Sequence, residues 1–134
     1  MISKVDIKTH SRTEFLDITS QVKEIVKDSK IASGVCYVFV PHTTAGITIN
    51  EHADPDVAED IITQLESMVP QNHNYRHSEG NSAAHIRASL MGSSALIMVE
   101  YGDLVLGTWQ GIFFCEFDGP RNRTCWVKIM PEKS

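Results

Sequence analysis

The chain carries none of the short motifs that mark the commonest nucleotide and hydrolase sites. There is no GxGxxG, no P-loop, no GxSxG and no HExxH, so dinucleotide binding, NTP hydrolysis and serine-hydrolase chemistry by those routes are disfavoured. Cysteine is scarce: Cys36, Cys115 and Cys125 are the three present. None forms a CxxC pair and each sits in an apolar run, which reads as buried reduced thiols. An excess of positive charge is lacking too. Lys plus Arg is 12 against 17 Asp plus Glu, a formal net charge of −5. That excludes a surface built to grip nucleic acid or anionic membrane over its whole extent. Long hydrophobic runs are missing. The longest, Val35 to Val40, is far short of the ~20 residues that cross a bilayer. The N-terminus shows no basic region followed by an apolar stretch. A cytoplasmic protein with no nucleic-acid partner and no membrane partner is expected.

What is present is an ordinary folded composition, 134 residues with 42% hydrophobic and 22% charged. Residues 1–134 read as a single domain. Ile2 to Thr9 has the pattern of an edge strand, and Glu14 to Ile18 a short extended piece. Thr19 can cap a helix with Val22, Ile25 and Val26 on one face. Gly34 to Val40 is apolar throughout and suits a strand buried on both faces. Pro41 ends its pairing, having no N–H to donate. Ala45 to Glu51 resumes as a strand. Asp54-Pro55 opens a helix, with the Asp as cap and the Pro in the first turn. Val57, Ile61, Leu65 and Met68 repeat at helical spacing until Val69-Pro70. Gln71 to Asn81 is polar and irregular, and Ser82 to Met91 a second short helix. Strands are expected at Ser94–Val99, Asp103–Leu106, Trp109–Phe117 and Thr124–Met130, with Asp118-Gly119-Pro120 as a turn. Strands outnumber helices, so the fold class is α+β with mainly antiparallel sheet.

Three of the six histidines fall at element ends: His42 after Pro41, His77 in the polar loop, and His85 in the first turn of its helix. Imidazole titrates near neutrality and is the commonest metal ligand. Each taken alone is more often a hydrogen-bonded structural residue, and their spacing matches no helical zinc pair. Glu51 reads as a base, a metal ligand or an ordinary solvated carboxylate. Arg76, Arg87, Arg121 and Arg123 lie near these histidines or beside turns. Guanidinium forks suit phosphate and carboxylate, so arginines collected near histidines in an acidic chain point to an anionic small ligand. The start of the helix at Ser82 adds backbone N–H groups. Asn81 and Gln110 offer neutral hydrogen bonds. Trp109, Phe113, Cys115 and Phe117 are expected to share one strand face, as core or subunit interface.

The motifs Pro41-His42-Thr43-Thr44-Ala45-Gly46-Ile47-Thr48-Ile49-Asn50-Glu51 with Asp54-Pro55, then Tyr75-Arg76-His77 with Gly80-Asn81 and Ala84-His85-Ile86, then Gly107-Thr108-Trp109-Gln110-Gly111-Ile112 with Glu116, resemble the YjbQ-type family. That family is often labelled secondary thiamine-phosphate synthase. The resemblance covers nearly the whole chain. It implies a two-sheet β-sandwich with two to three helices, in a homotrimer. It implies a transferase that joins a pyrimidine pyrophosphate to a thiazole phosphate and releases pyrophosphate. His42, His77 and His85 would then be metal ligands and, with Glu51, catalytic. The metal would be divalent, zinc first, with magnesium suited to a pyrophosphate. Asn50, Asn81, Arg87, Arg121 and Arg123 would bind a phosphorylated small molecule. Two other readings stay open: a trimer that binds metal and a phosphorylated ligand without chemistry, or a metal-dependent phosphate-ester hydrolase.

Overall fold

The computed structural model describes residues 1–133. Its elements in chain order are β1 (Ile2–Lys8), β2 (Glu14–Asp17), α1 (Thr19–Ser29), β3 (Gly34–Phe39), β4 (Ala45–Glu51), α2 (Pro55–Met68), α3 (Ser82–Met91), β5 (Ser94–Glu100), β6 (Asp103–Leu104), β7 (Gln110–Glu116) and β8 (Asn122–Pro131). They form a five-stranded sheet, β1-β8-β3-β5-β6, and a three-stranded sheet, β2-β7-β4. All strand pairs are antiparallel. The α+β class and the two-sheet arrangement therefore match the expectation.

The three-stranded sheet is the middle layer. On one side Ile47, Ile112 and Phe114 meet the five-stranded sheet's Cys36, Val38, Ile97, Cys125 and Val127, with Val22 and Val26 of α1 closing the edge. On the other side Phe113, Cys115 and Phe117 pack under Leu65 of α2 and Ala84 and Ala88 of α3. β7 is thus buried on both faces, as its continuous apolar run Ile112–Cys115 requires of a period-2 strand. Burial of a side chain as large as Phe114, wholly enclosed, contributes about 2–3 kcal/mol. All three cysteines are buried and free.

Asp54 caps α2 as expected. Its carboxylate accepts from the Asp56 N–H at 2.9 Å, and Pro55 takes the first turn. Three local expectations are corrected. Thr19 is the first residue of α1 rather than its cap; its hydroxyl donates to Asp17 and accepts from the Ile112 N–H. β3 is buried on one face only: Cys36 and Val38 point inward, while Tyr37 and Phe39 are exposed. Trp109 precedes β7 and stands 62% exposed, so it does not join Phe113, Cys115 and Phe117 in the core.

A close approach seats α3 on the middle sheet. The Ile47 N–H donates to the Gly92 carbonyl at 3.0 Å. A Cβ at Gly46 would meet that oxygen at 2.8 Å, so only glycine fits there without a shift. This contact fixes α3 beside the segment that links β3 to β4.

Candidate functional site

One end of the sandwich collects four chain segments: the Pro41–Thr44 link between the sheets, the N-terminus of α3, the end of β7 with its turn, and the start of β8. Between them lies a cleft of about 360 Å³, bordered by His42, Thr44, His77, Asn81, His85, Asp118, Arg121 and Arg123, with Pro41, Thr43 and Glu79 at its edges. Hollows of about 500 Å³ and 410 Å³ adjoin it and share His42, His85 and His77 with it.

The floor is an ion pair. Glu116 is wholly buried and Arg123 is 7% exposed. Arg123 Nε donates to Glu116 Oε1 at 2.9 Å, and Nη2 donates to Oε2 and to Thr44 Oγ1. Glu116 also accepts from the Thr9 hydroxyl and from the Phe117 and Asp118 N–H groups. Burial alone would raise its pKa, but Arg123, the Asp118 N–H and Thr9 together hold it below the ordinary value. Nη1 of Arg123 has no partner among the described residues, so its two donors remain for the cleft.

Arg121 is more exposed. Its Nε donates to the Asp118 carbonyl at 2.7 Å and its Nη2 to the Asp118 carboxylate at 3.0 Å. Asn81 Nδ2 donates to the same carboxylate. Partial burial pushes the Asp118 pKa up; Asn81 and the two arginines outweigh it, and the carboxyl sits below its ordinary value. The Asn81 side chain turns its Nδ2 to Asp118 and makes no cap bond to α3. The Ala84 and His85 N–H groups donate to the Asn81 carbonyl instead, and those of Ser82 and Ala83 are left without a side-chain acceptor. Asn81 Oδ1 is buried with no partner.

His42 is half-buried, and its Nε2 lies 3.0 Å from the Thr124 nitrogen and 3.1 Å from the Thr124 oxygen. Burial and the nearby Arg123 lower its pKa, against the opposing pull of the Thr124 contact and Glu116. The imidazole is therefore neutral at pH 7. The His77 and His85 rings stand 5.5 Å apart, edge to face, and His77 Nε2 is 3.9 Å from Glu79.

Three expected site residues lie elsewhere. Asn50 and Glu51 pair with Gly111 and Gln110 at the far end of β4. Six residue steps of strand carry the chain from Ala45 at the cleft end to Glu51, about 20 Å. There they adjoin a different contact, in which His52 Nδ1 meets Asp17 at 2.7 Å and the ring packs over Gly111. Arg87 is 2% exposed and donates from Nη2 to the Val69 carbonyl just past α2, so it serves the helix packing and not the cleft. Conversely, Glu116, Asp118, Thr44 and Glu79 border or support the cleft without having been singled out as its residues.

The implied three-histidine metal set does not fit this geometry. His42 Nε2 is taken by Thr124, which leaves Nδ1 as its one ring nitrogen open to the cleft. Among the described residues no group of three or more His, Cys, Asp or Glu is placed to hold a metal ion.

A family model for UPF0047 YjbQ-like proteins matches residues 3–132. The chain belongs to the YjbQ/UPF0047 family. It is 51% identical to the UPF0047 protein YugU of Bacillus subtilis, over 97% of this chain and 99% of YugU. It is 53% identical to a UPF0047 protein of Methanocaldococcus jannaschii, over 99% of this chain and 96% of that one. Among solved structures, a YjbQ/UPF0047 protein of Clostridium acetobutylicum superposes with TM-score 0.94 at 55% identity, covering 96% of this chain and 99% of that one. A YbjQ-like protein of Sulfolobus solfataricus gives TM-score 0.95 at 38% identity, covering 98% and 97%. The thiamine-phosphate synthase assignment that the resemblance implied is overturned here. The curated relatives bear only the UPF0047 designation, and the Sulfolobus structure is of a protein of unknown function. Among the described residues no helix is long and apolar enough to cross a membrane.

Proposed function

We propose that this YjbQ/UPF0047 protein binds a small phosphate-bearing molecule in the cleft between the Pro41–Thr44 link and α3. One observation carries the reading: two arginines and three histidines border a single cleft in a chain of net charge −5. Asp118 and Glu116 neutralise the arginines but occupy only part of each fork, so recognition rests on oriented N–H donors more than on net charge. The Ser82 and Ala83 N–H groups, which have no acceptor among the described residues, add backbone donors of the same kind at the start of α3; those of Ala84 and His85 go to the Asn81 carbonyl. Titration of inorganic phosphate followed by NMR tests the reading. Saturable shifts at Arg121 and His85, weakened roughly tenfold in Arg121→Ala, are expected. Shifts that stay linear, or spread over the whole surface, refute it.

A second proposal concerns assembly. The outer face of the five-stranded sheet carries Tyr37, Phe39, Leu96, Met98, Trp126 and Met130, each 37–60% exposed. Across β5, β3 and β8 the register pairs Leu96 with Tyr37 and Phe39 with Trp126, sets Met98 and Met130 on either side of Val35, and places Lys128 opposite Tyr37. A contiguous apolar patch of this kind marks an interface, and we propose that it packs against further copies in a homotrimer. Sedimentation is expected to give three times the 15.0 kDa chain mass. A monomer at micromolar concentration contradicts it.

A further inference from the structure

The register of β3 against β8 has a consequence at its last position. Phe39 pairs with Trp126 and Val38 with Val127. The same offset sets Pro41 opposite Thr124. In an antiparallel pair that partner would donate its N–H to the Thr124 carbonyl, and proline has none. The His42 side chain fills the gap. Its Nε2 lies 3.1 Å from the Thr124 oxygen and 3.0 Å from the Thr124 nitrogen. One ring nitrogen therefore faces a donor and an acceptor of the same residue.

A neutral imidazole has one protonated and one bare nitrogen. With the proton on Nε2 it donates to the Thr124 carbonyl. With Nε2 bare it accepts from the Thr124 N–H. The ring is held in one orientation either way. Nδ1 has no partner among the described residues and is not buried, and His42 borders the cleft. Nδ1 thus meets the cleft as an acceptor in the first tautomer and as a donor in the second. Most histidine sites fix one tautomer through the hydrogen bond of the other nitrogen; here that bond leaves both available.

We infer that His42 Nδ1 is the proton-exchanging atom of the cleft. It rests on the proposed phosphate-binding reading and names the regulation of that site: the ring matches the protonation state of the bound oxygen without moving. Toward a phosphate oxyanion, the Nδ1–H tautomer donates. Toward a phosphate O–H, the Nε2–H tautomer accepts at Nδ1. Full transfer there moves the proton from that oxygen to Nδ1 and leaves an imidazolium with Nε2–H still on the Thr124 carbonyl. Return of the same proton restores the starting charges. Pro41 sets the balance by leaving the carbonyl without a backbone donor.

Nitrogen-15 NMR of the His42 ring, in the full chain with and without inorganic phosphate, tests this. The free protein is expected to show both tautomers, each above one tenth of the population. Saturating dianionic phosphate is expected to shift the ratio roughly fivefold or more toward Nδ1–H. In Pro41→Ala the new N–H competes for the Thr124 carbonyl, and the free protein is expected to move the same way. A single tautomer above nine tenths in the wild type, unchanged in Pro41→Ala, overturns the inference. If Pro41→Ala does not fold, the wild-type ratio decides alone. Phosphate binding is read separately from the Arg121 signals. Its failure removes the binding reading, while the tautomer ratio of the free protein still tests the two-way contact at Thr124.

Discussion

Replacing Glu116 by Gln tests the floor of the cleft. Glu116 is wholly enclosed and accepts from Arg123, Thr9, Phe117 and Asp118. The substitution keeps the shape and removes the charge. Arg123, itself 7% exposed, is then a buried cation without its carboxylate, and an amide N–H₂ is forced against donors. Loss of one partner from such a pair costs about 3–5 kcal/mol. For a chain of this length that corresponds to a fall in Tm of about 12–20 °C, at about 4 °C per kcal/mol. Urea unfolding at pH 7 with an unchanged slope gives the free energy directly. The pH dependence carries the same sign. Glu116 has its pKa held below the ordinary 4.5, so its contribution is present above that value and is lost as pH falls through the lower folded value. Glu116→Gln is expected to flatten that part of the acid limb. The double change Glu116→Leu, Arg123→Met is expected to recover much of the lost stability, because no unpaired charge remains. A loss below about 1 kcal/mol in Glu116→Gln would show that water reaches the pair, and the reasoning fails.

Asp54→Ala removes the cap of α2, whose carboxylate accepts from the Asp56 N–H; thermal unfolding is expected to show a loss of about 1 kcal/mol. Arg87→Met is expected to leave phosphate affinity unchanged, because the side chain is buried against Val69 and away from the cleft; weakened binding in a folded protein would contradict that placement. Gly111→Ala puts a Cβ 2.3 Å from the His52 ring, and a loss of about 1–3 kcal/mol in chemical unfolding is expected as the ring is displaced from Asp17.

Much of the fold was legible because its signals are local. β4 and α3 occupy the expected Ala45–Glu51 and Ser82–Met91, and Asp54-Pro55 opens α2 as its chemistry dictates. The misread positions turn on tertiary partners. Thr19 has a cap-like hydroxyl, but Asp17 and the Ile112 N–H claim it. Tyr37 and Phe39 belong to an apolar run, yet no second layer of this chain covers them.

The cleft was legible only in part. His42, His77, His85, Asn81, Arg121 and Arg123 fall at the same end of the sandwich because β3, β7, β8 and α3 all begin or end there. Asn50 and Glu51 are near His42 in sequence, but β4 carries them to the opposite end. Arg87 shares a helix with His85 and faces the other way, into the packing against α2. Glu116 and Asp118 were hidden in different ways. Glu116 sits in an apolar strand, where a single acid signals a buried partner. Asp118 reads as a turn former and is also the acceptor that ties Asn81 to Arg121.

The central claim is that the cleft recognises phosphate through Arg121, Arg123 and the start of α3. Isothermal titration of inorganic phosphate into the wild-type protein and into Arg121→Ala, both checked for intact folding, tests it most directly. The account predicts saturable one-site binding per chain in the wild type, weakened roughly tenfold by the substitution. No saturable heat in the wild type, or equal affinity in the two proteins, contradicts it.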